Sequence, residues 1–328
     1  DPRRGRSLMS EGDPGMDGAD QALFDGVLAG QRRALARTIT LIESTREDHR
    51  LRARALLAAL LPHSGRSLRL GLSGVPGVGK STFIESLGLF LIGQGHRVAV
   101  LAVDPSSSLS GGSILGDKTR MEKLSREDAA FIRPSPSGGT LGGVASRTRE
   151  AMLVLEAGGF DVVIVETVGV GQSETAVAGM SDAFVLMQLP NAGDELQAIK
   201  KGIVEIADLV LFNKTDIDPE AAQRAQAQMS SALAMLRGRS GAVPVLGLSA
   251  LRGEGVEKFW AALEALVAAR REAGEFDARR RHQALAWMWS LVQEGLVQRF
   301  HGNAAVGAAL PSILAAVEAG ELPASVAA

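Results

Sequence analysis

A glycine-rich stretch around residue 75 carries the strongest chemical signal in the sequence. It fits the pattern GxxxxGK[ST] at every fixed position, between a predicted strand and a predicted helix. Glycines allow backbone N–H groups to curl around phosphate oxygens, and the N-terminus of the helix adds its positive end. We expect Lys80 to reach the β- and γ-phosphates of a nucleotide and Ser81 to offer its hydroxyl to Mg²⁺. The predicted phosphate contacts are Gly74, Val75, Pro76, Gly77, Val78, Gly79, Lys80, Ser81 and Thr82.

A second motif indicates which base the nucleotide carries. We predict nucleotide binding by Asn213, Lys214 and Asp216. They belong to the tetrapeptide NKTD, which follows an apolar strand, as does the NKxD box of GTPases. An aspartate carboxylate accepts hydrogen bonds from N1–H and the 2-amino group of guanine, which adenine does not offer. The stem of Lys214 is expected to pack along the base; the alternative is that the aspartate only begins a helix. The next strand is followed by Ser249, Ala250 and Leu251, at the position where GTPases have their SAK-like segment.

Three acidic residues are candidates for metal-binding and catalytic groups. Glu166 ends an apolar strand in the sequence ETVG, where GTPases have DxxG. In GTPases the acid of this motif holds Mg²⁺ through water and the glycine touches the γ-phosphate. The corresponding glycine in this sequence is Gly169. Asp104 and Asp117 lie in the loop-rich segment after the second predicted strand. The alternatives are an exposed acid at a strand end for Glu166 and turn or helix caps for the aspartates. We predict Lys80, Asp104, Asp117 and Glu166 as catalytic groups, and Ser81, Asp104, Asp117 and Glu166 as metal ligands, some acting through water.

The same region predicts the rate of hydrolysis. Phosphoryl transfer depends mainly on positioning and charge neutralisation. Valine, and not a water-orienting glutamine, follows Gly169, while Gln172 comes three residues after that glycine. Arg120 is a candidate donor to the γ-phosphate from within the chain. We therefore expect slow intrinsic hydrolysis that a partner accelerates.

The elements that must position these residues are visible as an alternation of short apolar runs and helical stretches. Continuous apolar strands that alternate with helices predict a mostly parallel sheet covered on both faces. The predicted fold is therefore α/β, a P-loop NTPase with a mostly parallel central sheet. The strands are expected at 68–74, 96–104, 130–134, 160–167, 182–189, 207–214 and 243–249, with intervening helices that include 80–92, 140–157 and 218–237.

Helical extensions flank this α/β region on both sides. We expect a disordered tail over 1–20, a helical N-terminal arm over 21–66, the P-loop domain over 67–252 and a helical C-terminal extension over 253–328. The predicted helices of the extension are 256–273, 276–302 and 304–319, the last of them broken near Pro311.

Apolar residues on the long C-terminal helix indicate an interface. Trp287 and Trp289 are two positions apart and therefore face different directions on a helix. A helix that is apolar on more than one face is typical of an oligomer contact. We expect a homodimer formed through 276–320; the alternative is a helical cap on the same protomer.

Composition excludes several classes of protein. The chain has 328 residues with 35 Lys and Arg and 37 Asp and Glu, a net charge of −2 that argues against a dedicated nucleic-acid binder. It has no cysteine, which excludes disulfides, zinc–cysteine sites, iron–sulfur clusters and thiol nucleophiles. No apolar run approaches the ~18 residues that span a bilayer. The first residues lack the apolar segment of a secretory signal. We expect a cytoplasmic protein without nucleic-acid or membrane partners.

The motifs, in their order and wording, resemble those of the MeaB/ArgK-type G proteins. These belong to the signal-recognition-particle/MinD-like (SIMIBI) branch of P-loop NTPases. The resemblance spans roughly residues 20–300, and the combination is much more specific than any single motif. It rests on GVPGVGKST (74–82), VDPSS (103–107), GDKTRM (116–121), ETVGVGQSE (166–174), GDELQAIKKGIVEIADL (193–209) and NKTD (213–216).

The resemblance implies a GTP-hydrolysing chaperone for an adenosylcobalamin-dependent acyl-CoA mutase, typically methylmalonyl-CoA mutase. Such proteins gate cofactor delivery to the mutase, protect or reactivate it, bind GTP or GDP with Mg²⁺, and are usually homodimers. The alternatives are a nickel-insertion metallochaperone GTPase, which the lack of cysteine argues against, and a transport-associated ATPase or kinase.

The resemblance also implies an additional switch, over residues 188–201, that couples the nucleotide state to the partner. A solvated helix face is the alternative for this charged segment. The residues predicted for switching and partner coupling are Gln172, Asp194, Glu195, Lys200 and Lys201.

Overall fold

A parallel β-sheet forms the centre of the protein. The computed structural model describes residues 16–103, 121–134, 141–167, 173–190, 201–237 and 243–328, with only the backbone at 141, 142, 201 and 237. Within these residues the sheet has seven strands in the order β3-β2-β4-β1-β5-β6-β7, and every pair is parallel. The strands are β1 (Leu68–Gly74), β2 (Val98–Val103), β3 (Ala130–Arg133), β4 (Val162–Thr167), β5 (Ala183–Gln188), β6 (Leu209–Phe212) and β7 (Val245–Gly247).

The central strands are apolar and buried on both faces, which confirms the predicted α/β class. Every residue of β2, β4, β5 and β6 is buried, and such runs are typical of parallel sheets that helices cover on both sides. Parallel strands point their carboxyl ends to one edge. The loops after β1 and β6 and the carboxyl end of β4 therefore lie at that edge, which is where open α/β sheets bind their ligands.

A three-helix N-terminal arm packs against the helix Leu141–Ala157 and joins its hydrophobic cluster on the sheet. It consists of α1 (Gly18–Leu28), α2 (Arg32–Glu43) and α3 (Glu47–Leu60), followed by a 3₁₀ turn at Leu61–His63. Helix α1 begins before the predicted limit of residue 21, because the carboxylate of Asp17 accepts a hydrogen bond from the Asp20 N–H (2.7 Å) and caps the helix. The predicted tail over 1–15 lies outside the described residues.

Further helices connect the strands, and α10 follows the last strand. They are α4 (Lys80–Gly93), α5 (Glu122–Ser125), α6 (Leu141–Ala157), α7 (Ser173–Ala178), α8 (Lys201–Ile206), α9 (Pro219–Arg237) and α10 (Val256–Glu272). Two hydrophobic clusters cover the sheet. One joins α2, α3 and α6 to the sheet through residues that include Leu35, Leu56 and Leu155. The other joins α4 and α10 to it, with Phe83 edge-on to Phe259 at 5.0 Å between ring centroids.

The chain divides into two compact units, one of residues 1–280 and one of residues 281–328. Helix α10 belongs to the first unit and buries Phe259, Trp260 and Leu263 in its core. The predicted domain boundary at 252/253 therefore differs from the structural division after Arg280.

The second unit contains most of α11 (Glu275–His301), together with α12 (Ala304–Glu318) and α13 (Ala324–Ala327). Helix α12 runs without interruption through Pro311, so the predicted break there is wrong. One proline removes one hydrogen bond from the ladder. The rest persists, and the Asn303 side chain caps the first turn by accepting from the N–H groups of Ala305 (2.9 Å) and Val306 (3.4 Å).

None of the helices that the structure describes is by itself long and apolar enough to cross a bilayer. Only α11 and α12 taken together reach that length and apolar composition, and a bend of 81° separates them.

Buried ion pairs hold the amino edge of the sheet. Arg280 donates to both carboxylate oxygens of Asp182 (2.7 and 2.6 Å) and to the carbonyls of Gly65 and Ser67. Asp208 pairs with Arg270 and Arg279. Burial works against ionisation of Asp208, but the two arginines outweigh it and hold the pKa of this carboxyl below its ordinary value.

Glu156 forms a similar centre beside β1. Its carboxylate accepts from Arg69 (2.6 and 3.0 Å), from the Ser67 hydroxyl (2.5 Å) and from the Gly65 N–H (2.6 Å). Burial opposes its charge, yet these donors hold its pKa below the ordinary value. Glu156 thereby ties α6 to the segment that leads from the arm into β1.

We expect Glu156→Gln to lower the free energy of unfolding by about 3–5 kcal/mol near neutral pH, because it leaves Arg69 buried without its counter-ion. A carboxyl with a depressed folded pKa contributes stability that is fully present above its unfolded pKa, about 4.3, and is lost as the pH falls further. The variant should therefore show a flatter pH dependence below about pH 4. Urea unfolding across the acid range measures both effects.

Glu220→Gln is the matched control, because its carboxylate is 88% exposed and pairs with Arg224 at 3.6 Å. It should change the free energy of unfolding by no more than about 0.5 kcal/mol and leave its pH dependence as in the wild type. Equal losses in the two variants would contradict the role assigned to Glu156.

Candidate nucleotide site

The loop between β1 and α4 needs glycine at three places. A Cβ at residue 74 would lie 2.7 Å from the carbonyl oxygen of Met187 on the neighbouring strand. Gly77 and Gly79 have φ values of +79° and +93°, the left-handed region in which other residues are strained. The sequence pattern thus reflects backbone geometry, which brings the loop around to the start of α4.

Lys80, the first residue of α4, extends back across this loop. Its ammonium donates to the Gly74 carbonyl at 2.6 Å. Ser81 and Thr82 follow in the first turn of α4, where the backbone N–H groups and the helix dipole favour an anion. The cation, the hydroxyls and the helix N-terminus therefore lie together where a nucleotide's phosphates are expected.

Asn213 joins the base-reading loop to the phosphate-binding loop. It is buried, its amide donates to the Val78 carbonyl at 2.8 Å, and its Oδ1 accepts from the N–H groups of Lys214 (2.8 Å) and Ala250 (3.0 Å). The Lys214 ammonium adds a bond to the Gly77 carbonyl at 2.8 Å. One side chain therefore fixes three loops, and its role is to position the site.

Asp216 lies next to this junction and is 14% exposed. A hydrogen bond from the Ser249 hydroxyl holds its pKa below the ordinary value, and the positive charge of Arg252 adds to this effect. The Arg252 Nε is 3.3 Å from the Asp216 Oδ2. The carboxylate is therefore ionised near neutral pH, as an acceptor for two guanine donors must be.

Glu166 is placed on the phosphate side of the carboxyl edge. It is 3% exposed and lies in register between Leu72 of β1 and Ala102 of β2. Beside it, the Thr167 hydroxyl donates to the Ser73 hydroxyl at 3.0 Å. The strand register accordingly brings the acid of the ETVG motif next to the strand that feeds the phosphate-binding loop.

The available donors suit Mg²⁺. Ser81 and Glu166 offer the hydroxyl and carboxylate oxygens that this ion prefers, and Mg²⁺ usually keeps several waters besides one or two protein ligands. The part of the chain that the structure describes holds no cluster of three or more histidine and acidic side chains arranged for a metal. A site with few protein ligands is consistent with that arrangement.

Several predicted site residues fall outside the described ranges. Lys201 begins α8, but only its backbone is described. The functional assignments of these residues stay predictions. Those outside are Asp104, Asp117, Arg120, Gly169, Gln172, Asp194, Glu195 and Lys200.

A family model decides the classification. The model described as "Methylmalonyl Co-A mutase-associated GTPase MeaB" matches residues 35–305. The chain belongs to the MeaB family. The resemblance drawn from the sequence motifs is thereby confirmed.

Individual relatives agree with the MeaB family. A putative GTPase of Caulobacter vibrioides is 54% identical over 304 residues, which cover 92% of this chain and 93% of that protein. The methylmalonic aciduria type A homolog, mitochondrial, of Mus musculus is 48% identical, covering 92% of this chain and 75% of its own length. A crystal structure titled LAO/AO transport system kinase is similar with a TM-score of 0.76 and 37% identity, covering 95% of this chain and 96% of its own. The chain is therefore a GTPase, associated with methylmalonyl-CoA mutase, that binds guanine nucleotides and hydrolyses GTP.

Two features of the site were missed by sequence reasoning. The first is that Asn213 serves to join loops, and the second is the ion pair of Arg252 with Asp216. Neither feature leaves a local signal in the sequence, because the partners are distant in the chain. Val78, for example, is 135 positions from Asn213.

We expect Asn213→Ala to lower both stability and nucleotide affinity. It leaves a buried carbonyl and a buried N–H without partners, which costs about 1–3 kcal/mol for each group. Thermal unfolding without nucleotide measures the first effect, and titration with GDP measures the second.

Asp216→Ala is the comparison, because it removes base contacts and leaves the loop junction intact. It should weaken GDP binding roughly 10- to 150-fold, the value of a hydrogen bond to a charged group, with little change in melting temperature. The role of Asn213 would be refuted by an Asn213→Ala variant that melts like the wild type.

Proposed function

We propose that this GTPase is a chaperone that gates delivery of adenosylcobalamin to methylmalonyl-CoA mutase and protects or reactivates that enzyme. The observation that supports it most directly is the family match over residues 35–305, whose description names the mutase. The printed name of the mouse relative refers to methylmalonic aciduria. Both names therefore point to methylmalonyl-CoA metabolism, and we assign the delivery of the cofactor to the GTPase.

The residues of the site divide the work of hydrolysis. Lys80 and the N–H groups at the start of α4 neutralise the phosphates, while Asp216 and Lys214 hold the base and so fix the position of the γ-phosphate. Ser81 and Glu166 would hold Mg²⁺, which would supply charge neutralisation to the phosphates. We propose that Glu166 would orient water in the shell around that ion. We propose Asp104 and Asp117 as further acids of this shell.

Coupling to a partner follows from the expected lack of a water-orienting glutamine after Gly169. The intrinsic rate should then be slow, and binding of the mutase should complete the site, since a residue supplied from outside can accelerate such reactions roughly 10³–10⁵-fold. We propose that Gln172 and the switch segment over residues 188–201 carry this effect. The coupling residues of that segment are Asp194, Glu195, Lys200 and Lys201.

Single-turnover GTP hydrolysis with and without purified mutase tests the coupling. We expect at least about tenfold acceleration by the mutase, with the effect absent for an unrelated acyl-CoA enzyme. Retention of mutase activity during turnover, with GTP or a non-hydrolysable analogue, tests protection. Lys80→Ala is the control, because it removes the phosphate-binding cation. A fast rate that the mutase leaves unchanged would contradict the proposal.

A transport-associated kinase is the second candidate, because the similar solved structure carries that title. It predicts transfer of the labelled γ-phosphate to a protein, and the chaperone predicts release of inorganic phosphate. The same single-turnover reaction separates the two products.

We further propose that the protein is a homodimer formed through α11 and α12. Many large apolar side chains of these helices are at least 40% exposed, and no residue of α12 is buried. Apolar surface of this extent is rare in monomers and marks interfaces. The exposed set on the two helices includes Leu285, Met288, Trp289, Leu291, Val292, Leu296, Val297, Phe300 and Leu314.

Light scattering at micromolar concentration should give twice the chain mass of 34.3 kDa. Leu296→Glu should shift the protein toward monomer, because Leu296 is 60% exposed and a buried unpaired charge would oppose association. Met235→Glu, an 85% exposed position on α9, is the control and should leave the mass unchanged. A monomeric wild type would refute the dimer.

A further inference from the structure

Arg252 is a charged group at the base-reading carboxylate that the GTPase motifs do not account for. Its Nε lies 3.3 Å from the Oδ2 of Asp216, and its side chain is 58% exposed. Asp216 is much less exposed, at 14%. An exposed guanidinium therefore lies directly beside the Oδ2 of a largely buried carboxylate.

The turn that follows β7 fixes Arg252 in this place. Ser249 and Glu254 form a bridge across the turn, with Ser249 N–H to the Glu254 carbonyl at 3.0 Å. The Arg252 N–H donates to the Ser249 hydroxyl at 3.4 Å, and that hydroxyl in turn donates to Asp216. One serine thus holds both partners of the ion pair, so their proximity is built into the loop.

Purine bases differ in what they offer to this carboxylate. Guanine presents two donors, N1–H and the 2-amino group, and these require both carboxylate oxygens. Hypoxanthine has N1–H and no 2-amino group, so it requires one oxygen only. Each carboxylate oxygen has two lone pairs, so the 2-amino group of guanine would share Oδ2 with Arg252 and weaken that contact, whereas hypoxanthine can leave the contact unchanged.

We propose that Arg252 sets the base selectivity of this GTPase by competing with the 2-amino group of guanine for Asp216. The consequence is a pocket that also accepts 6-oxopurine nucleotides without a 2-amino group, that is, inosine nucleotides. Arg252 lowers the discrimination between guanine and hypoxanthine, while adenine remains excluded because it has no N1–H donor.

Titration of the full-length protein with GDP, IDP and ADP tests this selectivity. In Arg252→Ala, GDP should bind about two- to fivefold more tightly, because the 2-amino group no longer competes with Arg252. An exposed ion pair contributes about this much to the free energy. IDP affinity should stay the same or fall, so the ratio of the dissociation constants of IDP and GDP rises. Arg252→Lys keeps a cation at the carboxylate and should keep a ratio close to that of the wild type.

Salt provides a second measurement that a purely structural role would not affect. Raising the ionic strength screens an exposed pair. The IDP/GDP ratio of the wild type should therefore rise toward that of Arg252→Ala, whose own ratio stays constant.

Arg224→Ala is the matched control. Arg224 is 65% exposed and pairs with Glu220 at 3.6 Å on α9, so it reproduces the chemistry of Arg252 outside the base pocket. It should leave all three affinities unchanged. Weaker GDP binding by Arg252→Ala, or an unchanged ratio in that variant, would overturn the proposal.

Discussion

The side-chain amide of Asn213 is the contact on which the nucleotide site depends. Its donor end binds the Val78 carbonyl of the phosphate-binding loop, and its acceptor end binds N–H groups at Lys214 and Ala250. Three loops that follow three strands are thereby held in one geometry before any ligand arrives. Such preorganisation lowers the ordering cost of binding, because the groups that we propose to receive phosphate and base are already placed.

Close packing around this amide explains the glycine that precedes α4. A Cβ at Gly79 would come within 2.6 Å of the Asn213 Nδ2, and the same residue needs a φ of +93°. Lys214 also has a positive φ, of 60°, which is uncommon for a residue with a side chain. Its ammonium bond to the Gly77 carbonyl helps to hold that conformation. The backbone strain is thus concentrated where the two loops touch.

The sequence predicted the sheet well, because buried parallel strands are continuous apolar runs with clear ends. β1 at Leu68–Gly74 coincides with its prediction, since an apolar run meets the glycine-rich loop. Local patterns failed at Pro311, because the loss of one hydrogen bond at a proline leaves the rest of the helix in place. They also gave no indication of pairs distant in the chain, such as Arg69 with Glu156, which are 87 positions apart. Motifs reveal which residue types a site needs, whereas the contacts that hold those residues arise from the tertiary fold.

The two edges of the sheet carry separate tasks: nucleotide groups at the carboxyl edge, and the paired charges of Asp182, Asp208 and Glu156 toward the other end. A strand of six or seven residues spans about 20 Å, so the two sets share no contacts, and the effects of substitutions in them should add. Selection can therefore alter base preference or turnover rate without altering the margin of folding stability. The arrangement favours divergence, because a lineage can change its nucleotide chemistry while the same charged edge keeps the domain folded.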